Sequence, residues 1–363
     1  MENNLAKSKI VLREYQTAAL EKILWAKNAN LEGNELIVIP TGGGKSLVIA
    51  SLAHLLNEPI LILQPSKEIL EQNLGKLLQY VDRSDIGVYS ASMNERTIGK
   101  FTFATIGSIY KKPELFRHFR LIIIDECHLV NPKSLGSMFT SFLREVGFPK
   151  VVGMTATPYR MAQKYFDFGQ TTVRVATVTK LINRMKGFFW QRVLFNINIE
   201  ELTAQGFLTP LEYVDMSLLN HEDIPLNLSK SDFNLDAFEQ MLNARQTEIL
   251  EAIAYGEANS KSVLVFCASV HQANHLQQIV PGSAVVTAKT PKKERDKIIK
   301  DFREHKIKTV FNVGVLTLGF DHPTLDCIVL LQNAPSKKQL PPERAGSARA
   351  KRPRVILRSF SEP

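Results

Sequence analysis

The run ELIVIPTGGGKSLVIASLAHLL (35–56) constrains this chain more than any other stretch. A short apolar segment, ELIVI (35–39), leads through a proline into three consecutive glycines, and the residues after Lys45 return to a helical pattern. A continuous apolar run, rather than an alternating one, suits a strand buried on both faces of a helix-covered parallel sheet. Successive glycines reach backbone conformations closed to other residues, so their N–H groups can converge on one point beside the positive end of a helix. Strand, amide nest and helix start in this order make a phosphate cradle. Thr41, Gly42, Gly43 and Gly44 would form its turn, Lys45 would neutralise β and γ phosphates, and Ser46 would hold Mg²⁺. The formal pattern asks for a further glycine where Ile39 stands. A merely flexible turn is the bland alternative, and the flanking strand and helix weigh against it.

The same strand type recurs. PILIL (59–63), FTFAT (101–105), LIIID (121–125) and VVGMT (151–155) follow the first run, with helical stretches between, and define an α/β unit over residues 1–165. SVLVFC (262–267), SAVVT (283–287), KTVFNV (308–313) and CIVLLQ (327–332) define a second over 246–332. Residues 166–245 lack this rhythm and read as a connector with some helix and a hairpin. Their basic aromatic patch, RMKGFFWQR (184–192), could stack unpaired bases or pack a thin connector, and packing is favoured. A length of 363 residues suits two domains, and 44% hydrophobic with 22% charged residues is a globular composition.

LIIIDECHLV (121–130) places Asp125 and Glu126 at the C-terminal end of an apolar strand, where open parallel sheets bind ligands. Asp125 would hold the Mg²⁺ water shell, and Glu126 would orient or deprotonate an attacking water. Such a pair alone is commonly structural; after PTGGGKS the functional reading prevails. The three cysteines, Cys127, Cys267 and Cys327, lie far apart in apolar runs and read as buried thiols. No apolar run reaches the ~20 residues of a membrane helix, and the N-terminus lacks a secretory pattern, so the expected location is cytoplasmic with no membrane partner. Net charge is +9, yet residues 334–363 carry eight Lys and Arg against two Glu, six of those nine charges. The body is nearly neutral, and bulk charge says little about nucleic acid.

PTGGGKS, the Asp-Glu-Cys-His set and GMTATPYR (153–160) together resemble the superfamily 2 helicases and translocases of the DExH type, closest to the RadD-like DNA-repair helicases. LREYQ (12–16), ILILQPSKEILEQ (60–72), FATIGSIY (103–110), VLVFCASVHQANHL (263–276), VVTAKTPKKERDKIIKDF (285–302) and VFNVGVLTLGFDHPTLDCIVLL (310–331) match in order, and GFLTPLEYVD (206–215) adds to the likeness. The resemblance implies two tandem recA-like domains with parallel sheets, of the P-loop NTPase type, with ATP and Mg²⁺ as cofactors and nucleic acid, DNA foremost, as partner. It implies that Arg13 and Gln16 contact the base, and that Gly319 and Asp321 approach the nucleotide from the second domain. Ser66, Lys67, Thr105, Gly107, Ser108 and Thr317 would grip the nucleic-acid backbone without reading sequence. Thr155 and Thr157 would couple phosphate status to the nucleic-acid side, with His128 linking to the other domain; a polar strand end is the bland alternative for the threonines.

The family's last element, Gln-x-x-Gly-Arg-x-x-Arg, should follow LLQ (330–332) by about a dozen residues. There the chain reads Glu343-Arg344-Ala345-Gly346-Ser347-Ala348-Arg349-Ala350, with Glu343, Ser347 and Ala350 where the glutamine and both arginines belong. Pro341 and Pro342 disfavour the helix leading into it. Residues 333–363, rich in Pro, Arg and Ser, read as a disordered basic tail, either a truncated or frame-shifted helicase end or a natural tail that binds nucleic acid. The activity expected is ATP-driven helicase or translocase action, possible in DNA repair or recombination. The alternatives are ATP and DNA binding with little turnover, or the motor part of a restriction or nuclease system.

Overall fold

The computed structural model describes residues 11–29, 32–56, 58–130, 138–147, 149–167, 172–184, 189–210, 212–215, 234–316, 324–331 and 354–357. Thr317, Gly319, Asp321 and the stretch 343–350 lie outside these residues. The chain divides into two units, Met1–Glu201 and Leu202–Pro363.

In the first unit, helix α1 (Glu14–Asn28) precedes strand β1 (Asn34–Val38), α2 (Lys45–Leu56), β2 (Ile60–Gln64), α3 (Lys67–Leu77), β3 (Ile86–Ser90), β4 (Glu95–Arg96) and β5 (Phe101–Thr105). There follow α4 (Ile106–Ile109), β6 (Leu121–Asp125), α5 (Met138–Glu145), β7 (Lys150–Thr155), β8 (Tyr159–Asp167), β9 (Thr172–Leu181) and β10 (Trp190–Asn196). Eight strands form one sheet in the order β10-β1-β7-β6-β2-β5-β3-β4. All neighbours are parallel except the short hairpin strand β4. The central strands are buried throughout, as their unbroken apolar character predicts. Leu121, Ile122, Ile123 and Ile124 are each essentially inaccessible, and burial of such a side chain contributes about 1.5–3 kcal/mol.

β8 and β9 pair as a separate antiparallel hairpin; β8 falls almost wholly in the stretch read as the first α/β unit and β9 in the stretch read as connector. β10, expected within that connector, instead joins the first sheet as a parallel neighbour of β1. The reason is Trp190. Its ring is wholly buried in the core with Leu36, Ile122, Ile124 and Cys127, and Phe189 packs edge-on against it. Gly153 in β7 makes room: a Cβ there would stand 2.5 Å from the indole Cη2 and 2.7 Å from Cys127 Sγ. The aromatic patch is therefore core rather than stacking platform at Phe189 and Trp190; Phe188 lies outside the described residues. A buried ion cluster ties the same strands together. Glu35 in β1 is fully buried, with Lys150 Nζ of β7 at 2.6 Å and Arg192 of β10 at 3.2 Å from its Oε1. Taking a carboxylate out of water is costly unless oppositely charged partners accompany it.

After α6 (Ile199–Ala204), whose residues span the division, the second unit holds β11 (Glu212–Asp215), α7 (Leu235–Asn243), α8 (Gln246–Asn259), β12 (Val263–Phe266), α9 (Val270–Ile279), β13 (Ala284–Thr287), α10 (Lys292–Arg303), β14 (Thr309–Val313), β15 (Cys327–Leu330) and β16 (Arg354–Leu357). Its sheet runs β11-β16-β15-β12-β14-β13, and every pairing is parallel. Along β12 the pleat splits the core in two. Val263 and Val265 meet Ile249, Ile253 and Leu276 of α8 and α9, while Leu264 and Phe266 meet Phe302 of α10. Helices on both faces explain why this strand reads as continuously apolar. β16 arises within the stretch read as a tail: Arg354–Leu357 pairs with both β15 and β11, because its Val-Ile-Leu run is apolar enough to enter a sheet.

Candidate nucleotide-binding site

The loop between β1 and α2 is bent by Gly42 at φ 81° and Gly44 at φ 83°. These left-handed conformations favour glycine. Gly44 also sits against α1, since a Cβ on it would lie 2.3 Å from Gln16 Nε2. Gln16 is held in place from both ends: its Oε1 accepts from the Arg13 amide at 3.0 Å, capping α1, and its Nε2 donates to Gly43 O at 3.0 Å. Tyr15, which the sequence reading did not single out, donates its hydroxyl to the same carbonyl at 2.7 Å. The Arg13 guanidinium lies 3.2 Å from that hydroxyl. Arg13 and Gln16 thus stand beside the glycine loop with Thr41, and α1 braces the loop from outside.

Lys45 and Ser46 open α2. Lys45 Nζ lies 3.6 Å from Glu126 Oε1, both side chains nearly buried. The Ser46 hydroxyl hydrogen-bonds Asn73 Oδ1 on α3, and Asn73 Nδ2 donates to Asp125 Oδ2 at 2.9 Å. Asp125 Oδ1 accepts the Glu126 amide at 2.9 Å. The phosphate loop and the acidic pair, about eighty residues apart in the chain, therefore meet at the C-terminal ends of β1 and β6. Glu126 adopts a left-handed backbone, φ 47°, a conformation uncommon outside glycine and asparagine. The carboxyl of Asp125 is raised from 3.8 to about 6, first by burial and then by the Glu126 charge, with Lys45, the Glu126 amide and Asn73 pulling it down. Cys127 behind it is buried, which pushes its thiol up; it is a packing residue, as expected.

At the end of β7, His128 Nδ1 lies 2.9 Å from Thr155 Oγ1 and 3.1 Å from Thr157 Oγ1. The Thr157 amide donates to Thr155 Oγ1 at 3.0 Å, and Glu126 Oε2 is 3.4 Å from the same imidazole nitrogen. One chain of polar contacts thus joins Lys45, Glu126, His128, Thr155 and Thr157 within the first unit.

Further along the same sheet edge, Ser66 caps α3, accepting from the Ile69 amide at 3.4 Å. Lys67 Nζ donates to Ser92 O at 3.2 Å. Thr105 and Ser108 share a hydrogen bond of 2.8 Å, and Ser108 Oγ accepts the Ala91 amide at 2.9 Å. Ser90 and Ser92, 2.9 Å apart, join this strip; isolated serines carry no motif in the sequence, and neither does an amide in a helix such as Asn73. Gly107 faces open space, where a Cβ would meet nothing within 4 Å, so packing within the fold does not require a glycine there. Ser66, Lys67, Thr105, Gly107 and Ser108 are thus brought to one edge.

Residues 9–160 match the family described as Type III restriction enzyme, res subunit, and residues 245–343 match the helicase conserved C-terminal domain. Together the two matches and the relatives support the superfamily 2 helicase family. It is 26% identical over 375 residues to the DNA 3'-5' translocase XPB2 of Sulfurisphaera tokodaii, covering 92% of this chain and 78% of that one. It is 27% identical over 310 residues to a 51.5 kDa protein of Lactococcus phage 7-9, covering 83% of this chain and 59% of the relative. Against the putative ATP-dependent helicase IRC3 of Saccharomyces cerevisiae the chain spans only 48% of the relative's length. Among solved structures, the ATP-dependent Type ISP restriction-modification enzyme LlaBIII bound to DNA aligns with a TM-score of 0.66 and 17% identity, over 97% of this chain and 28% of that one. The likeness in fold confirms two tandem recA-like helicase domains with mostly parallel sheets.

The residues of this helicase-family site suit a magnesium nucleotide. Gly44 admits the Gln16 amide beside the loop, and Ser46 and Asp125 offer hard oxygen donors joined through one amide. Mg²⁺ takes few protein oxygens and completes its shell with phosphates and water.

Proposed function

We propose that this chain is an ATP-driven motor acting on nucleic acid, with DNA as its track. The single observation that carries this is the convergence of Lys45 and Ser46 with Asp125 and Glu126, through one ion pair and one bridging amide. The phosphate loop presents its amides and the start of α2 to the phosphates. Lys45 exchanges Glu126 for phosphate oxygens, which frees the Glu126 carboxylate to accept a proton from water. Ser46 and Asp125 would hold Mg²⁺, which would supply charge neutralisation at the phosphates. Arg13 and Gln16 face the base. Glu126 touches His128, so a change at the terminal phosphate reaches Thr155 and Thr157 by exchange of hydrogen-bond partners. Ser66, Lys67, Thr105, Gly107 and Ser108 hold phosphodiesters through hydroxyls, backbone amides and one ammonium. From the second unit, Gly319 and Asp321 would serve the nucleotide and Thr317 the backbone.

DNA rather than RNA is supported by the names of relatives, a DNA translocase and a restriction enzyme bound to DNA. A cytoplasmic setting and a role in DNA repair belong to the same proposal; among the described residues no helix is long and apolar enough to cross a membrane. Steady-state ATP hydrolysis, measured alone and with single-stranded DNA, duplex DNA or RNA, tests the reading. DNA-stimulated turnover that is lost in Lys45→Ala and Glu126→Gln is the expected result. A second reading has its own observation: Ser347 and Ala350 stand where the family's arginines belong, and such an arginine is worth about 10³ or more in rate. Tight nucleotide and DNA binding with no measurable turnover would favour that binding module over a motor.

A further inference from the structure

Asn73 belongs to no motif, yet among the described residues its side chain bonds both groups assigned to Mg²⁺. It is buried to 4% exposure on α3. Its Oδ1 meets the Ser46 hydroxyl, and its Nδ2 stands 2.9 Å from Asp125 Oδ2. The chemistry orders these contacts. An ionised carboxylate only accepts, so Asp125 draws the amide NH₂ toward itself and turns the amide carbonyl to Ser46. A carbonyl also only accepts, so the Ser46 proton must point at Asn73. The lone pairs of Ser46 Oγ are then left for a cation, while Asp125 is fixed on one oxygen by Asn73 and on the other by the Glu126 amide.

We propose that Asn73 is a positioning residue for the magnesium nucleotide, its amide setting the hydroxyl direction of Ser46 and the carboxylate angle of Asp125. This rests on the nucleotide reading above. The alternative is packing alone, in which Asn73 merely fills the space between α2, α3 and β6. The two differ in metal dependence. A packing residue affects nucleotide binding alike with and without metal; an outer partner of metal ligands affects only the metal-dependent part, typically by about 10- to 100-fold.

The test is the affinity for a fluorescent mant-AMP-PNP, titrated into wild type and Asn73→Leu in excess EDTA and in millimolar Mg²⁺. The expected result is an unchanged affinity in EDTA and a Mg²⁺ enhancement about 10- to 100-fold smaller than in wild type. Asn73→Ser, too short to span both partners, should behave the same way and guards against misfolding of the bulkier variant. An unaltered Mg²⁺ enhancement, or equal weakening in both buffers, overturns the proposal. Failure of wild type to bind in either buffer is a separate outcome, which overturns the nucleotide reading and the proposal with it.

Discussion

Replacing Gly44 with alanine should weaken nucleotide binding by an amount the loop geometry sets. At φ 83° an alanine pays a left-handed penalty of about 1–2 kcal/mol. The new Cβ would also fall 2.3 Å from Gln16 Nε2, far inside contact distance. Gln16 ends in a flexible amide and can swing aside, but doing so breaks its 3.0 Å bond to Gly43 O, worth about 1 kcal/mol net. Together these cost about 2–3 kcal/mol if the loop must keep this shape to bind, or about 30- to 150-fold in Kd. The two parts separate in a double-mutant cycle. In a Gln16→Ala background the amide bond and the clash are already gone, so Gly44→Ala should cost only the backbone part, about 1–2 kcal/mol. Fluorescent-nucleotide titrations of the four proteins supply the cycle. Wild-type affinity in Gly44→Ala, or strict additivity of the two changes, would refute the claim that α1 braces the loop through Gln16.

Asp125→Asn should stabilise the nucleotide-free protein while destroying turnover. The carboxyl is raised to about 6 in the fold, so the folded state holds its proton more tightly than the unfolded one, and stability falls as pH rises between about 4 and 6. The variant's advantage in denaturant melts should therefore be small near pH 4 and on the order of 2–3 kcal/mol above pH 7; an advantage independent of pH would contradict the burial argument. Gly153→Ala should lower stability by about 1–3 kcal/mol, because its Cβ meets the rigid indole of Trp190 and Cys127 Sγ at 2.5–2.7 Å. Trp190→Leu should remove most of that added cost, as thermal melts of the single and double variants would show.

Much of the site was legible because its parts are local. In PTGGGKS the strand, the loop and the helix start adjoin along the chain, so spacing alone places amides, ammonium and hydroxyl together. LIIIDE does the same for the carboxylates. Five contiguous apolar residues likewise announce a strand buried on both faces, and the alternating core contacts of Val263 through Phe266 show why. The order of these segments therefore determined the fold class and the two halves of the candidate nucleotide site.

Tertiary structure decided what joins the halves. Asn73 meets Ser46 and Asp125 only because α3 packs against α2 and the strands β2 and β5, which closes separations of 27 and 52 residues. Trp190 reads in the sequence as a packing residue ahead of a base-stacking one, but the sequence does not say in which core; β1 took β10 as a neighbour and Gly153 left room for the ring. Glu35 would read as an exposed strand end until Lys150 and Arg192 arrive from strands over a hundred residues away. The physical reason is the same in each case. Local patterns record backbone preference and burial, whereas the partner of a buried polar or aromatic group is chosen by sheet order and register, which no single segment contains.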